Sequence, residues 1–211
     1  MRNGMKHELL YSGKCSATDL AKIIKRLKDL YLWYDPVSET EMAARFGGHA
    51  KAEIDVLSHH GHVIAFGVCV PTHFGIDLCL FRHGTLVAPE YQSRGLYEHL
   101  LDEALSRHNP KWLGTRTQNP RVYETWWKRF GEALYPHPTR DIPLAIRQMG
   151  LELSGNDPTF DPETMVVRGV YREDRRTRED FRCWLPWVRE FMESRLGMYD
   201  AMILVADTSP T

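Results

Sequence analysis

Gln92-Ser93-Arg94-Gly95-Leu96-Tyr97 brings a glycine and several polar side chains to the point where the chain's pattern passes from strand to helix. The first amides of a helix have no intrahelical acceptor, and the helix dipole places partial positive charge on them. A strand feeding directly into a helix therefore presents an anion site. Gly95 lets a phosphate approach the backbone, and Gln92 or Arg94 can add donors. The chemistry this would serve is capture of a pyrophosphate. The simpler reading is that Gly95 only eases a tight turn. The stretch is not a Walker A loop, because the Gly-Lys-Ser/Thr ending is absent, and it lacks the Gly-x-Gly-x-x-Gly dinucleotide fingerprint.

The elements that must hold this turn follow from periodicity. Leu20, Ile23, Ile24, Leu27, Leu30 and Tyr31 recur at helical spacing, with Thr18 or Asp19 placed to cap. A second short helix is expected from Ser38, which forms a capping-box pattern with Glu41, and Gly47-Gly48 closes it. In residues 52–58, Ile54 and Val56 alternate with Glu53 and Asp55, predicting a strand with one wet face. Strands over 63–70 and 76–87 complete an antiparallel meander, since the connections are too short for crossovers. Leu96, Leu100, Leu101, Ala104 and Leu105 predict a helix over 92–107. A strand over 111–117 and a helix opened by Asn119-Pro120 and closed by Gly131 follow.

Beyond Pro136 a helix is expected over 141–150, a strand over 164–171 and a solvated connection over 172–182. A helix over 178–195 contains Pro186, which predicts a kink or a late start. Residues 201–207 read as a buried strand that finishes this chain's sheet or exchanges with a second copy.

Composition narrows the function. The chain has 211 residues, 43% hydrophobic, enough for a sizeable core. With 27 basic and 28 acidic side chains its net charge is −1, so no global field draws it to nucleic acid or an anionic membrane. Cys15, Cys69, Cys79 and Cys183 lack zinc-site spacing and read as reduced thiols, largely buried. The histidines at 59, 60, 62 and 73 have no completing carboxylate or cysteine set, and no metal is expected. No apolar run approaches a membrane span or a signal peptide, which predicts a soluble cytoplasmic protein.

Val87-Ala88-Pro89, followed by Gln92-Ser93-Arg94-Gly95-Leu96-Tyr97, resembles the central motif of the GNAT superfamily of acyl-CoA N-acyltransferases. That motif is a strand ending in Val-x-Pro, then Gln/Arg-x-x-Gly-x-Gly/Ala opening a helix. The order of elements over residues 5–135 fits as well, with 140–211 a variable C-terminal part. The resemblance implies a single α/β domain over 1–211, with a mixed, mostly antiparallel central sheet flanked by helices. It implies acetyl-CoA as co-substrate and a small-molecule or peptide amine as acceptor, with a homodimer possible. Leu86, Val87 and Ala88 would pair their backbone with the pantetheine arm. The amides of Gln92, Ser93, Arg94, Gly95, Leu96 and Tyr97 would hold the pyrophosphate. Asn119 resembles a cofactor-contacting asparagine, or is a plain N-cap. Tyr97 departs from the motif, because a phenol stands where the family prefers glycine or alanine.

Transfer of an acyl group from a thioester to an amine needs a base, because an alkylamine with a pKa of about 10 must lose a proton. It also needs a donor for the oxyanion and a proton or dipole for the leaving thiolate. By resemblance, the base belongs on the strand before the turn, where His83 stands four residues ahead of Val87. Asp77, Glu53 and Asp55 rank behind it, as ordinary strand-end or surface acids. The family's tyrosine acid would fall at Trp126 or Trp127, neither of which can donate as a Brønsted acid, so Tyr123 is the nearest replacement. If neither serves, solvent protonates the thiolate. The alternative to an enzyme is a GNAT-like acyl-CoA-binding sensor or interaction module without turnover.

Overall fold

The computed structural model describes residues 4–34, 51–171 and 183–209. Among them, a mixed sheet of nine strands, mostly antiparallel, is flanked by five α-helices, which is the expected α/β class. The chain divides into two compact units, residues 1–72 with 82–109 and residues 73–81 with 110–211.

The first unit contains β1 (Met5–Tyr11), α1 (Ala17–Tyr34), β2 (Glu53–His59), most of β3 (His62–Phe74), the end of β4 (Asp77–Val87) and α2 (Leu96–His108). Its strands follow the order β1-β2-β3-β4, and the β1–β2 and β2–β3 pairs are antiparallel. Sequence patterning did not mark β1. Its apolar residues, Met5, Leu9, Leu10 and Tyr11, do not alternate with polar ones, and it stands at the sheet edge, with most of its residues half-buried. Ile23, Ile24, Leu27 and Leu30 of α1 pack on Ile54, Val56, Phe66 and Val68. Each such side chain stabilises by roughly 1.5–3 kcal/mol when fully buried. Ser16 caps α1, not Thr18 or Asp19: its Oγ accepts from the Asp19 N–H at 3.1 Å and donates to the Asp19 carboxylate at 2.7 Å. The expected helix from Ser38 lies outside the described residues, as does the connection over 172–182.

The meander forms as expected. The His60-Gly61 turn between β2 and β3 has both residues at positive φ, 49° and 83°, the conformation that two-residue hairpins require. The expected wet face of β2 is not wet. Glu53 and Asp55 are 6% and 1% exposed, because α2 covers that side and supplies their partners.

The second unit holds the start of β4, β5 (Trp112–Thr117), α3 (Pro120–Phe130), β6 (Leu134–Tyr135), α4 (Leu144–Leu153), β7 (Phe160–Asp161), β8 (Val166–Val167), α5 (Pro186–Glu193) and β9 (Ala201–Asp207). The order is β5-β9-β8-β7, and β6 also pairs with β9. The buried 201–207 strand completes this chain's own sheet, antiparallel to β5 from Met202 to Asp207. The strand expected over 164–171 shrinks to Val166–Val167. Met165 at φ 59° and Gly169 at φ 67° interrupt the extended backbone on either side. Pro186 marks a late start, standing in the first turn of α5, where its missing N–H costs nothing. Asn119 and Gly131 bound α3 as anticipated.

Candidate functional site

The turn from β4 to α2 is built in two steps. A short 3-10 turn, Pro89–Tyr91, follows Ala88, whose N–H donates to the Ile64 carbonyl at 2.8 Å. The chain then turns through Ser93 at φ 57° and Gly95 at φ 75°. The helix starts at Leu96, later than the periodicity implied, so Gln92 to Gly95 form a loop ahead of it. Gly95 is the N-cap of α2 and makes no side-chain cap bond. A Cβ built on Gly95 meets nothing within 4 Å. Among the described residues, then, no side chain caps this helix of thirteen residues and none stands within 4 Å of where a Gly95 side chain would begin. An anionic group fits this opening, because both the dipole and the loop amides favour negative charge there.

The side chains of the turn divide in use. Gln92 donates through Nε2 to the Val87 carbonyl at 3.3 Å, tying the loop to the strand end. Arg94 is exposed, and its guanidinium lies 5.1 Å from the centre of the Tyr91 ring. The Tyr91 hydroxyl is 2.9 Å from Nδ1 of His59, so one turn histidine buttresses this loop. Leu96 is buried against Leu57, Ile64, Ala65 and Leu100, which seats the first turn of α2 on the sheet. Tyr97 is half-buried, and its ring centre lies 4.9 Å from the Arg82 guanidinium.

Upstream on β4, His83 is exposed while Arg82 is 2% exposed and donates to Thr85 Oγ1. Leu86 and Ala88 pack toward α1, and Val87 packs toward α2. The face carrying Val87 therefore adjoins the cradle helix.

Asn119 and Tyr123 belong to the second unit. Asn119 Oδ1 accepts from the Arg121 N–H at 2.9 Å, the N-cap bond of α3. Tyr123 is 0% exposed, and its hydroxyl donates to the Pro136 carbonyl at 2.9 Å. Burial pushes the phenol far above its ordinary value. Its ring stacks on Trp127 and meets Trp187 and Phe191, all within one aromatic cluster of α3 and α5. Asp77 forms an ion pair with Lys111 at 2.6 Å.

Sequence reasoning missed the polar residues under α2. Arg107 reaches Glu53 Oε2 at 3.0 Å and Asp55 Oδ2 at 2.8 Å. His108 Nε2 lies 2.8 Å from Glu53, and His7 Nε2 lies 2.8 Å from Asp55. The adjacent Arg107-His108 at a helix end, with two acids alternating on a strand, was the available signal. Read one element at a time, each looked like a solvated face. Of the cysteines, Cys69 and Cys79 are buried, while Cys15 and Cys183 are partly exposed, and all are free thiols.

No protein-family model and no curated protein matches the chain. Solved structures do. The ribosomal-protein-S18-alanine N-acetyltransferase from Escherichia coli superposes with a TM-score of 0.50 at 14% identity, covering 98% of this chain and 96% of that one. This is the GNAT fold. A GNAT family acetyltransferase from Elizabethkingia anophelis, solved with acetyl-CoA bound, gives a TM-score of 0.47 at 13% identity over 98% of this chain and 99% of that one. An IAA acetyltransferase from Bacillus cereus gives 0.47 at 15% identity, over 96% and 99% of the two chains. In the GNAT fold of this chain, the turn after β4 coincides with the motif that suggested the resemblance. No described helix is long and apolar enough to cross a membrane.

Proposed function

We propose that the protein is an N-acetyltransferase that moves an acetyl group from acetyl-CoA to a primary amine by direct attack in a ternary complex. The observation that supports this reading is the N-terminus of α2, capped by Gly95 with no side-chain cap bond and reached from β4 through the short turn over residues 89–95. When bound, acetyl-CoA supplies the acyl group already activated as a thioester. The amides of Gln92 to Tyr97 hold its pyrophosphate, with Arg94 free to swing from Tyr91 onto a phosphate oxygen. Leu86, Val87 and Ala88 orient the pantetheine arm through their backbone.

His83 takes a proton from the acceptor's ammonium, directly or through water, so that the neutral amine can attack the thioester carbonyl, and an exposed imidazole on β4 can pass that proton to solvent. Tyr123 could donate to the leaving thiolate only by giving up its bond to Pro136, so this reading leaves that proton to solvent. Asn119 already has work as an N-cap, and a cofactor contact would use whatever donor capacity its amide nitrogen retains. The acceptor is an amine of a small molecule or a peptide.

Titration calorimetry of cofactor-free protein with acetyl-CoA and with CoA tests the reading. Binding of acetyl-CoA that CoA competes away is expected, and no heat from a folded protein would overturn it. His83→Ala is then expected to lower turnover by roughly 10²-fold or more with the CoA dissociation constant unchanged. Binding without thiol release across a panel of amines would favour the non-catalytic acyl-CoA sensor.

A further inference from the structure

Tyr97 is the residue that least suits a phosphate cradle. On a helix the Cα–Cβ bonds tilt toward the N-terminus. A phenol in the first turn could therefore swing over the very amides that would hold the anion. It does not do so here, because its ring lies against Arg82, 4.9 Å from the guanidinium. Arg82 is 2% exposed, so this contact places the ring on the sheet side of α2. The guanidinium is fixed in turn by its bond to Thr85 Oγ1. Leu96, the preceding residue, is buried among Leu57, Ile64 and Leu100. Two consecutive residues of the first turn are thereby seated on the sheet, one by apolar packing and one by a buried cation.

We propose that Arg82 is a positioning residue of the cradle: it holds the Tyr97 ring away from the anion path and fixes the first turn of α2 in its binding geometry. The bulky residue at the small-residue position and the buried arginine on β4 are then one device. A desolvated cation against an aromatic face is among the stronger contacts of its kind, and the guanidinium also adds positive charge on the sheet side of the turn. This inference rests on the CoA reading for its ligand, but the seating of the helix can be measured without any ligand.

The test uses the full-length protein and four variants: Tyr97→Ala, Arg82→Met, Arg82→Lys and the double variant Tyr97→Ala/Arg82→Met. CoA binding is expected to weaken about tenfold in Tyr97→Ala and in Arg82→Met, the worth of one such contact. The double variant should be no weaker than the worse single, and Arg82→Lys should recover most of the loss. In the cofactor-free protein, exchange of the first hydrogen-bonded amides of α2, from His99, whose N–H donates to the Gly95 carbonyl at 3.0 Å, to Leu101, should accelerate in both single variants while residues 104–108 keep their protection. Tighter or unchanged CoA binding in Tyr97→Ala would overturn the proposal, because the ring would then be an obstacle or a bystander. So would unchanged exchange at 99–101, and Tyr97→Ala keeps both readouts available should Arg82→Met fail to fold. Absence of CoA binding in the wild type would strike the proposed function instead, leaving the exchange comparison to judge the pair.

Discussion

The two ends of α2 are built on opposite principles. At the N-terminal end the chain does little to satisfy the helix: Gly95 carries no side chain, makes no side-chain cap bond, and a Cβ built there meets no described residue within 4 Å. At the C-terminal end, twelve residues further on, Arg107 forks onto Asp55 with contacts of 2.8 and 3.3 Å and also reaches Glu53. His108 joins Glu53, and His7 closes on Asp55 from the neighbouring strand. Burial alone would pull the Arg107 guanidinium down, but the two carboxylates more than offset it and its pKa is raised. The same helix thus has an end that is held and an end that waits. A binding site made of backbone amides cannot hold itself in place. The rigidity it needs for pre-organisation comes from the seating of the first turn itself, Leu96 on the sheet and Tyr97 against Arg82.

The held end is where disruption should cost most. Arg107→Met leaves two buried carboxylates without their shared cation, and loss of one partner of a buried pair costs about 3–5 kcal/mol. Denaturant unfolding should show that loss. Adding Glu53→Gln and Asp55→Asn to the same variant should recover much of it, because the charges then leave together. CoA affinity of the folded variant is expected to stay within about threefold, in line with sites more than 7–10 Å apart being independent. A stability loss under about 1 kcal/mol would reduce the cluster to an ordinary surface network.

The waiting end should respond the other way. Gly95→Glu puts a carboxylate into the opening, so CoA binding should fall by more than about 100-fold, beyond 2.7 kcal/mol. Stability should drop by only about 1–2 kcal/mol, the cost of a non-glycine residue at φ 75°. Normal calorimetric binding by folded Gly95→Glu would remove the cradle from the mechanism.

This asymmetry also explains what could be read in advance. The turn from β4 into α2 was legible because its requirements are local: a strand, a glycine and a helix follow one another within a short stretch of chain. The antiparallel meander and the β9 strand were legible through period and hydrophobicity. The clamp was not. Glu53 and Asp55 alternate with Ile54 and Val56 as a half-wet strand should, and only the packing of α2 on β2 reveals that both faces are covered. β1 escaped because an edge strand needs little apolar patterning. Tyr123 was legible as an aromatic residue of α3 but not as the donor to Pro136, since that partner lies thirteen residues on, beyond the end of the helix. Tyr97 stood out by type alone, and its partner Arg82 could be found only once the strand and helix were placed together.

A third comparison probes the sheet beneath the clamp. Burial pushes the Cys69 thiol from 9.0 up to about 11, and the nearby Asp55 and Glu53 act in the same direction against Arg82 and Arg107. A thiol whose folded pKa is raised contributes stability that is fully present below the unfolded value and is lost as pH rises toward the folded one. Between pH 9.0 and about 11, unfolding free energy should therefore fall by roughly 2–3 kcal/mol more in the wild type than in Cys69→Ala. Urea midpoints measured across that window give the difference in slope. Parallel slopes would mean that Cys69 is solvated.

The smallest effect lies at the last residue of the held end. Asn109 takes the left-handed conformation, φ 41° and ψ 52°, and its N–H donates to the Leu105 carbonyl at 2.8 Å, closing α2. Asparagine tolerates this conformation and glycine adopts it without strain, whereas alanine does not. Asn109→Ala should cost about 1 kcal/mol, and Asn109→Gly should remain within about 0.5 kcal/mol of the wild type, since its easier turn is offset by a more disordered unfolded chain. Neither should move CoA affinity by more than about twofold, because the cap touches no part of the cradle and the ion pairs still seat the helix. Urea unfolding and calorimetry on the same two samples measure both quantities. A cap variant that lost little stability yet weakened CoA binding severalfold would show that strain at one end of α2 travels to the other, and the division into a held end and a waiting end would fail.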